Sequence, residues 1–408
     1  MAGADHTAEK SEANQYLPSA LAATASRPSA TGVLHIDLAA IQRNYRKLAA
    51  LAGPAECAGV IKADAYGLGS AQVASALAAA GCRTFFVATL EEANTLNTEG
   101  LNVGHDAEAV RLYVLNGLLP GTASEFAAIE ARPVLGSMEE IVEWAGFGAA
   151  TDDPVPAAVH VDTGMNRLGV KPAGYDALIG AADILQTFPT ELVMSHLACA
   201  DTPDHPKNAA QLAAFNAIAG QLPADMRRSL ANSPGTFLGP DYAFDLVRPG
   251  IALYGGNPFA GRPNPMEPVI RLYGRIAQLG EAERGETVGY GAARTLTRRT
   301  RYATVTTGYA DGYIRALGST DAHDGAVGWL GGKALPILGR VSMDLIVFDI
   351  TDLPEGAAQR GGFVELIGEH YTIDDAAASA GTIPYEVLTS LGRRYQRIYT
   401  GLETGKEA

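Results

Sequence analysis

The sequence predicts an α/β protein in which an N-terminal (β/α)8 barrel of the TIM type is followed by a C-terminal, mainly β domain. Eight short apolar runs, rich in β-branched residues, recur over roughly 220 residues. Segments with helical spacing lie between most of them, as βαβ units require. After about residue 270, alternation with a period of two replaces this spacing. A doubly wound sheet is the second candidate for the N-terminal part.

The eight apolar runs are the predicted strands of the barrel. In chain order they are 56–62, 84–90, 110–116, 132–136, 157–163, 191–197, 228–233 and 246–254. The segments with helical spacing include 70–80, 138–145, 174–186 and 207–220. The working residues of such a barrel lie at the C-terminal ends of its strands, so chemistry is expected where these runs end.

The predicted β domain rests on period-two alternation in 301–307, 335–338 and 343–350. A proline-rich stretch, 263–268, marks the joint before it. We therefore divide the chain into a loosely ordered tail (1–32), a barrel domain (33–268) and a C-terminal β domain (269–408).

Composition and charge limit the kinds of partner. The 408 residues are 47% hydrophobic and 19% charged, which is ordinary for a globular protein. The formal net charge of −14 argues against nucleic acid or an anionic membrane as the main partner, because both repel an acidic protein. A small-molecule partner is compatible with this charge.

Cysteine usage and the N-terminal sequence favour a cytoplasmic protein. Cys57, Cys82 and Cys199 are scattered, so they predict neither a disulfide framework nor a metal site. Reduced cytoplasmic thiols are the default. No apolar stretch is long enough to span a membrane, and the first 30 residues lack the basic and apolar regions of a secretory signal.

Polar residues gather at the predicted strand ends. A purely structural barrel has no need of reactive groups at that position. The residues are Lys62, Asp162, His196, Asn232, Ser233 and Arg248. We therefore expect one mouth of the barrel to be surrounded by amine, imidazole, hydroxyl, amide and guanidinium groups.

Among these residues, Lys62 has the side chain that is most informative about the reaction, because its amine can react with a carbonyl group. It closes an apolar run and precedes a turn that contains Gly67 and Gly69. Burial disfavours an ammonium and lowers its pKa, which makes the amine more reactive towards a carbonyl cofactor such as pyridoxal phosphate (PLP). The alternative is a lysine that extends its charge out of a strand end into solvent.

Eight motifs, in order, resemble those of bacterial alanine racemases, and the resemblance covers roughly residues 33–400. Together they are specific, whereas each alone is weak. They are Lys62-Ala63-Asp64-Ala65-Tyr66-Gly67, Asp162-Thr163-Gly164-Met165-Asn166-Arg167-Leu168-Gly169, Ser195-His196, Asn232-Ser233, Val247-Arg248-Pro249-Gly250-Ile251-Ala252-Leu253-Tyr254-Gly255, Gly289-Tyr290-Gly291, Gly308-Tyr309-Ala310-Asp311-Gly312 and Gly339-Arg340-Val341-Ser342-Met343-Asp344. The resemblance implies a PLP-dependent enzyme with a barrel and a C-terminal β domain.

The resemblance also implies which residues bind PLP. Lys62 would hold the cofactor covalently, and Arg248, linked to His196, would face the pyridine nitrogen. Because arginine stays protonated, it leaves that nitrogen unprotonated, which weakens PLP as an electron sink and favours racemisation. The phosphate would be held by Tyr66, Asn232, Ser233, Gly250 and Ile251.

Racemisation removes a proton from one face of Cα and returns one to the other. By resemblance, Lys62 serves one face and Tyr290, from the partner subunit of a homodimer, serves the other. Arg167, assisted by the backbone N–H of Met343, would bind the substrate carboxylate. The two remaining family residues, Tyr309 and Arg340, would line the entrance channel. The implied role is D-alanine supply for peptidoglycan or alanine catabolism.

Two positions depart from the family pattern. Many members have a carbamylated lysine where this chain has His160, and an imidazole cannot form a carbamate. Arg167 must then be oriented by other means, either a bound chloride or neighbouring polar side chains. Arg393 replaces a channel tyrosine, which affects the expected substrate size.

Three other functions compete with this interpretation. A related decarboxylase would need a Gly-Gly-Gly phosphate loop and a cysteine in the second domain, but all three cysteines precede residue 200. A broad-specificity racemase would use the same Lys62 and Tyr290. A non-catalytic PLP-binding protein of cofactor homeostasis would lack the β domain that contains Tyr290.

Overall fold

A computed structural model describes residues 27–104, 109–151 and 153–402. The chain forms two compact units. One contains residues 38–267, and the other contains the described residues up to Asp37 together with Pro268–Thr400. Most of the predicted tail, residues 1–26, lies outside the described residues.

The first unit contains a parallel sheet whose strands follow chain order. Seven strands pair in parallel from Gly59–Val60 to Arg227–Ser229. The last strand, Leu246–Val247, pairs with Glu56–Cys57 at the beginning of the unit, while Arg248 N donates to Ala231 O at 2.9 Å. The strands are Glu56–Cys57, Gly59–Val60, Thr84–Val87, Arg111–Val114, Arg132–Leu135, Ala157–His160, Thr190–Met194, Arg227–Ser229 and Leu246–Val247. The predicted barrel is therefore confirmed, and the doubly wound alternative, which needs a reversal of strand order, is wrong.

Helices connect these strands. They are Leu38–Ala52, Ser70–Ala79, Leu90–Thr98, Ala123–Ala128, Met138–Gly148, Tyr175–Gly180, Ala182–Leu185, Pro206–Ala219 and Pro240–Ala243, with short 3-10 turns at Pro172–Gly174, Gly235–Phe237 and Ile251–Tyr254. The segment Lys62–Gly67 is a short left-handed turn. The predicted helix 174–186 is two helices, because the backbone leaves the helical conformation at Ala181, directly after Gly180. The strands read as continuous apolar runs because both of their faces are buried, as in Thr84–Val87.

The second unit is built on a mostly antiparallel eight-stranded sheet. Its strands are Gly32–Asp37, Ile270–Ala282, Thr300–Val305, Val327–Leu330, Lys333–Pro336, Ile346–Asp349, Phe363–Ile367 and Gln396–Thr400. A hairpin, Thr287–Val288 with Arg294–Thr295, precedes Thr300–Val305, and two helices, Ile373–Ala380 and Pro384–Ser390, follow the strand Phe363–Ile367. Short 3-10 turns lie at Tyr290–Ala292, Tyr309–Asp311 and Arg315–Leu317. The predicted C-terminal β domain is confirmed.

The strand Gly32–Asp37 belongs to this second sheet, although the predicted barrel domain 33–268 includes most of it. Its backbone pairs antiparallel with Ile270–Ala282 and parallel with Gln396–Thr400. The pairing buries Val33 against Tyr273, Phe363 and Ile398. The N-terminal segment is therefore held by apolar packing of the C-terminal sheet.

No helix within residues 27–104, 109–151 and 153–402 combines the length and apolar composition that a membrane crossing requires.

Candidate active site

Lys62 begins a short turn directly after the strand Gly59–Val60. The four residues that follow it, 63–66, all have a left-handed backbone, with φ between 52° and 57°. None of them is glycine, and this conformation costs roughly 1–2 kcal/mol for each such residue. The turn therefore has to be held by its surroundings.

Contacts from three directions hold this turn. The Tyr66 ring packs on Tyr254 with centroids 4.6 Å apart, and Tyr254 Oη donates to Val60 O at 2.8 Å. Asp64 Oδ1 accepts from Ser70 N at 2.8 Å. Glu92 Oε1 accepts from Ala63 N at 2.7 Å. The backbone on both sides of the lysine is thus fixed.

The Lys62 amine has a lowered pKa. Burial is the main cause, and the positive charge of Arg167 acts in the same direction. The carboxylate of Glu92 opposes both. Burial therefore favours the neutral, nucleophilic amine, as the sequence predicted.

Arg248 follows the last strand of the barrel and is 3% exposed. Its guanidinium donates to Ser229 Oγ and to the carbonyl oxygens of Ser195, at 2.5 Å, and Leu230. All of these partners are uncharged, so burial lowers the pKa of Arg248 to about 9. Within the described chain it takes part in no carboxylate ion pair, and it still carries its positive charge at neutral pH.

His196 lies between Arg248 and Asn232. Its Nδ1 is 3.4 Å from Arg248 Nη2, and its Nε2 is 3.5 Å from Asn232 Nδ2. Burial and then the neighbouring charge of Arg248 lower the pKa of His196 well below its usual value. The imidazole is therefore neutral at physiological pH.

Ser233 and Tyr66 meet at the backbone of Gly250. Ser233 Oγ accepts from Gly250 N at 2.7 Å and from Ala252 N at 3.3 Å. A Cβ at Gly250 would lie 2.2 Å from Tyr66 Oη, so only glycine allows this approach. The resulting cradle of two hydroxyls and backbone amides includes Tyr66, which belongs to the turn that begins at Lys62. The cradle suits the phosphate end of PLP, and the lysine amine suits its aldehyde end.

Asp162 organises the loop that carries Arg167. Its carboxylate is 2% exposed and accepts from the backbone N–H groups of residues 164, 165 and 166 at 2.8–3.1 Å, and Lys171 Nζ also donates to it. These donors offset its burial and lower the pKa of Asp162 to about 2. Arg167 follows directly and is exposed. His160, in the adjoining strand, is buried, and burial lowers its pKa to about 4.

The other predicted residues lie in the C-terminal unit. Tyr290 is 75% exposed. The next residue, Gly291, lies close to Arg340, because a Cβ added to Gly291 would be 3.2 Å from a guanidinium nitrogen of Arg340. The loop with Tyr309 is bonded to the loop with Met343, since Tyr309 N donates to Ser342 O and Ala310 N to Met343 O, both at 3.0 Å. Met343 is 53% exposed and is therefore not a core methionine.

Sequence reasoning missed Glu92. Its signal was present, because Thr89 and Glu92 have the spacing of a capping box at the start of the helix Leu90–Thr98. The spacing does not show that the same carboxylate also reaches Ala63, 29 residues earlier.

A barrel with a half-buried lysine near a strand end, together with a separate β unit, is typical of one class of two-domain enzymes. Family models then identify the family. Residues 36–258 match the N-terminal domain of alanine racemase, and residues 269–399 match its C-terminal domain.

Similar proteins agree with these matches. An alanine racemase of Rhodospirillum rubrum is 47% identical over 92% of this chain and 98% of its own. A catabolic alanine racemase of Agrobacterium fabrum is also 47% identical, over 91% of this chain and 92% of its own. The crystal structure of alanine racemase from Bartonella henselae with covalently bound pyridoxal phosphate has a TM-score of 0.84 and 41% identity, covering 91% of this chain and all of that one.

The chain therefore belongs to the alanine racemase family. The resemblance predicted from the sequence motifs is confirmed, and so is the enzyme class, an isomerase that acts on amino acids. The roles of the individual site residues stay predictions.

Proposed function

We propose that this protein interconverts L- and D-alanine with PLP bound to Lys62. One observation carries the proposal: Lys62, whose amine has a lowered pKa, begins a fixed turn that also supplies Tyr66 to a cradle of hydroxyls and backbone amides. Membership of the alanine racemase family supports it. When bound, PLP withdraws electrons from the substrate and so acidifies the hydrogen on Cα.

The barrel residues hold the cofactor. Tyr66 and Ser233 would bind the phosphate through their hydroxyls, and Asn232, Gly250 and Ile251 would contribute backbone N–H groups. The hydrogen bond from Gly250 N to Ser233 Oγ places this hydroxyl and this backbone amide together, which supports the assignment.

Arg248 and His196 would keep the cofactor ring from gaining a proton. Arg248 is positively charged and buried among uncharged partners, so its N–H groups can donate but cannot take a proton. The neutral His196 beside it supplies no acid. A weakly electron-withdrawing cofactor favours rapid return of the proton to Cα, as racemisation needs.

Two bases and a carboxylate clamp complete the proposal. Lys62 would move the proton on one face of Cα, and Tyr290 of the partner subunit would move it on the other. The exposure of Tyr290 on the single chain supports a role towards a second subunit. Arg167 and the N–H of Met343 would bind the substrate carboxylate.

We further propose a cytoplasmic homodimer in which Tyr309 and Arg340 line the entrance. Both residues are exposed, and the charge of Arg340 would attract the carboxylate of an amino acid. The product would supply peptidoglycan synthesis or enter alanine catabolism.

The test pairs a spectrum with an assay on the purified protein. We expect an absorbance band of lysine-linked PLP that is lost in Lys62→Ala, together with interconversion of L- and D-alanine. Lysine and arginine, assayed in parallel, should react far more slowly than alanine. A band without alanine interconversion would overturn the proposed reaction while leaving the cofactor assignment intact.

A further inference from the structure

Glu92 connects two neighbouring strand ends of the barrel. The strand before it, Thr84–Val87, pairs in parallel with Gly59–Val60, and Ile61 N donates to Phe86 O at 2.9 Å. Glu92 itself lies in the first turn of the helix Leu90–Thr98. It is therefore placed beside the turn that begins at Lys62.

Both carboxylate oxygens of Glu92 have fixed partners. Oε2 accepts from Ala88 N at 2.7 Å and from Thr89 N at 3.4 Å, while Thr89 Oγ1 accepts from Glu92 N at 3.3 Å. The bonds between Thr89 and Glu92 form an ordinary capping box, and the bond from Ala88 N lies outside it. Oε1 takes no part in the capping box and accepts from Ala63 N at 2.7 Å. A helix cap does not need this additional bond.

The bond to Ala63 N holds the peptide group directly after Lys62. Ala63 N–H belongs to the peptide group that joins Lys62 to the first left-handed residue of the turn. Hydrogen bonds to a carboxylate are roughly twice as strong as neutral ones. One carboxylate thus fixes the peptide plane from which the lysine side chain extends, relative to the neighbouring strand end.

We propose that Glu92 is a positioning residue for Lys62, which holds the lysine backbone in the orientation that presents its amine to PLP. The inference rests on the proposed function of Lys62 and adds to it a residue outside the cofactor cradle. The charge of Glu92 has a separate and opposite effect, because it raises the pKa of the amine that burial lowers, so the positioning role rests on the hydrogen bond to Ala63.

Glu92→Gln tests this role because the amide keeps the length of the side chain but has only one acceptor oxygen. Either Ala63 N–H or Ala88 N–H then faces an NH2 donor. We expect at least about a tenfold fall in kcat for alanine, with the KM changed less than about twofold, because Arg167 is untouched. We also expect slower capture of PLP by the apo-protein and a weaker visible circular dichroism band of the bound cofactor.

Thr89→Ala is the matched control. It removes the hydroxyl of the same capping box but leaves the bond between Glu92 and Ala63 in place. It should lower the Tm without changing the PLP capture rate or the dichroism band. Glu91→Gln, a change at the exposed neighbour on the same helix, should change none of these quantities.

The outcomes separate the two proposals. If Glu92→Gln matches Thr89→Ala in all readouts, Glu92 is only a helix cap and the inference is overturned. If the wild-type protein captures PLP but does not interconvert alanine, the proposed reaction fails, while PLP capture and dichroism still report on Glu92. If Glu92→Gln does not fold, Glu92→Asp, which is too short to reach both loops, is judged by the same readouts.

Discussion

The predicted cofactor residues of the barrel and the predicted functional residues of the C-terminal unit differ in exposure. In the barrel, Ser233 and Arg248 are buried and hydrogen-bonded within their own unit. In the C-terminal unit, Tyr290, Tyr309 and Met343 are 75%, 42% and 53% exposed on the single chain. The first set is fixed by its own fold, as a cofactor site requires. The second set is accessible on the single chain, as a site completed by a partner would require.

The largest expected effect comes from Tyr290→Phe, which removes the hydroxyl proposed to move the proton on one face of Cα. We expect kcat for racemisation to fall by about 10²- to 10⁴-fold in both directions, since each direction needs both bases. Exchange of the Cα hydrogen of one enantiomer with solvent deuterium should continue, because Lys62 still serves its own face. Tyr242→Phe, in the barrel unit, is the control and should leave the rate unchanged.

Mixed dimers sharpen the comparison between the units. When Lys62→Ala and Tyr290→Phe chains are co-expressed, a heterodimer has one complete site only if Tyr290 acts across the interface. Random pairing should then restore about a quarter of wild-type activity. Activity no higher than that of the two variants measured apart would show that Tyr290 does not serve the partner.

The barrel site was largely predictable, and the reason lies in its topology. Parallel strands in chain order bring their carboxyl ends to one edge, so Lys62, His196 and Arg248 could be expected together without any knowledge of their contacts. The hydrogen bonds of Arg248 with Ser195 and Ser229 agree with this expectation.

Other features depend on contacts that no local pattern encodes. The left-handed backbone at 63–66 contains no glycine. It persists because Tyr254 and Glu92, from distant parts of the chain, and the nearby Ser70 hold it. The strand Gly32–Asp37 has the same apolar pattern whichever sheet it joins, so its place beside Ile270–Ala282 could not be inferred.

We expect an effect of intermediate size when His160, whose imidazole is buried in its neutral form, is replaced. The effect concerns the pH dependence of the free energy of unfolding. Its pKa is about 4 in the folded protein and about 6.5 in an unfolded chain, so the unfolded state binds more protons between these values. The stabilising contribution of the neutral imidazole is therefore present above about pH 6.5 and is lost as the pH falls towards 4. When the pH is lowered from about 7.5 to 5, the free energy of unfolding should fall in both proteins. The fall should be ~2 kcal/mol smaller in His160→Gln than in wild type. Equal pH dependence in both proteins would contradict a buried neutral His160.

The smallest effect concerns the loop that carries Arg167, which follows the strand Ala157–His160. We infer that Asp162 orients this loop, because its buried carboxylate accepts from three successive backbone N–H groups just before Arg167. Asp162→Asn removes the charge and one acceptor oxygen, so we expect the KM for alanine to rise by roughly tenfold, equivalent to about 1.4 kcal/mol, with a smaller change in kcat.

Lys171→Gln separates the backbone bonds from the ion pair. The side chain of Lys171 is 49% exposed, and an ion pair with an exposed partner contributes little, so its KM should change less than about threefold. An equal rise in KM for both variants would assign the orientation of Arg167 to the charge of Lys171. An unchanged KM in Asp162→Asn would instead favour an outside ligand such as chloride, which a dependence of the KM on chloride concentration at constant ionic strength would detect.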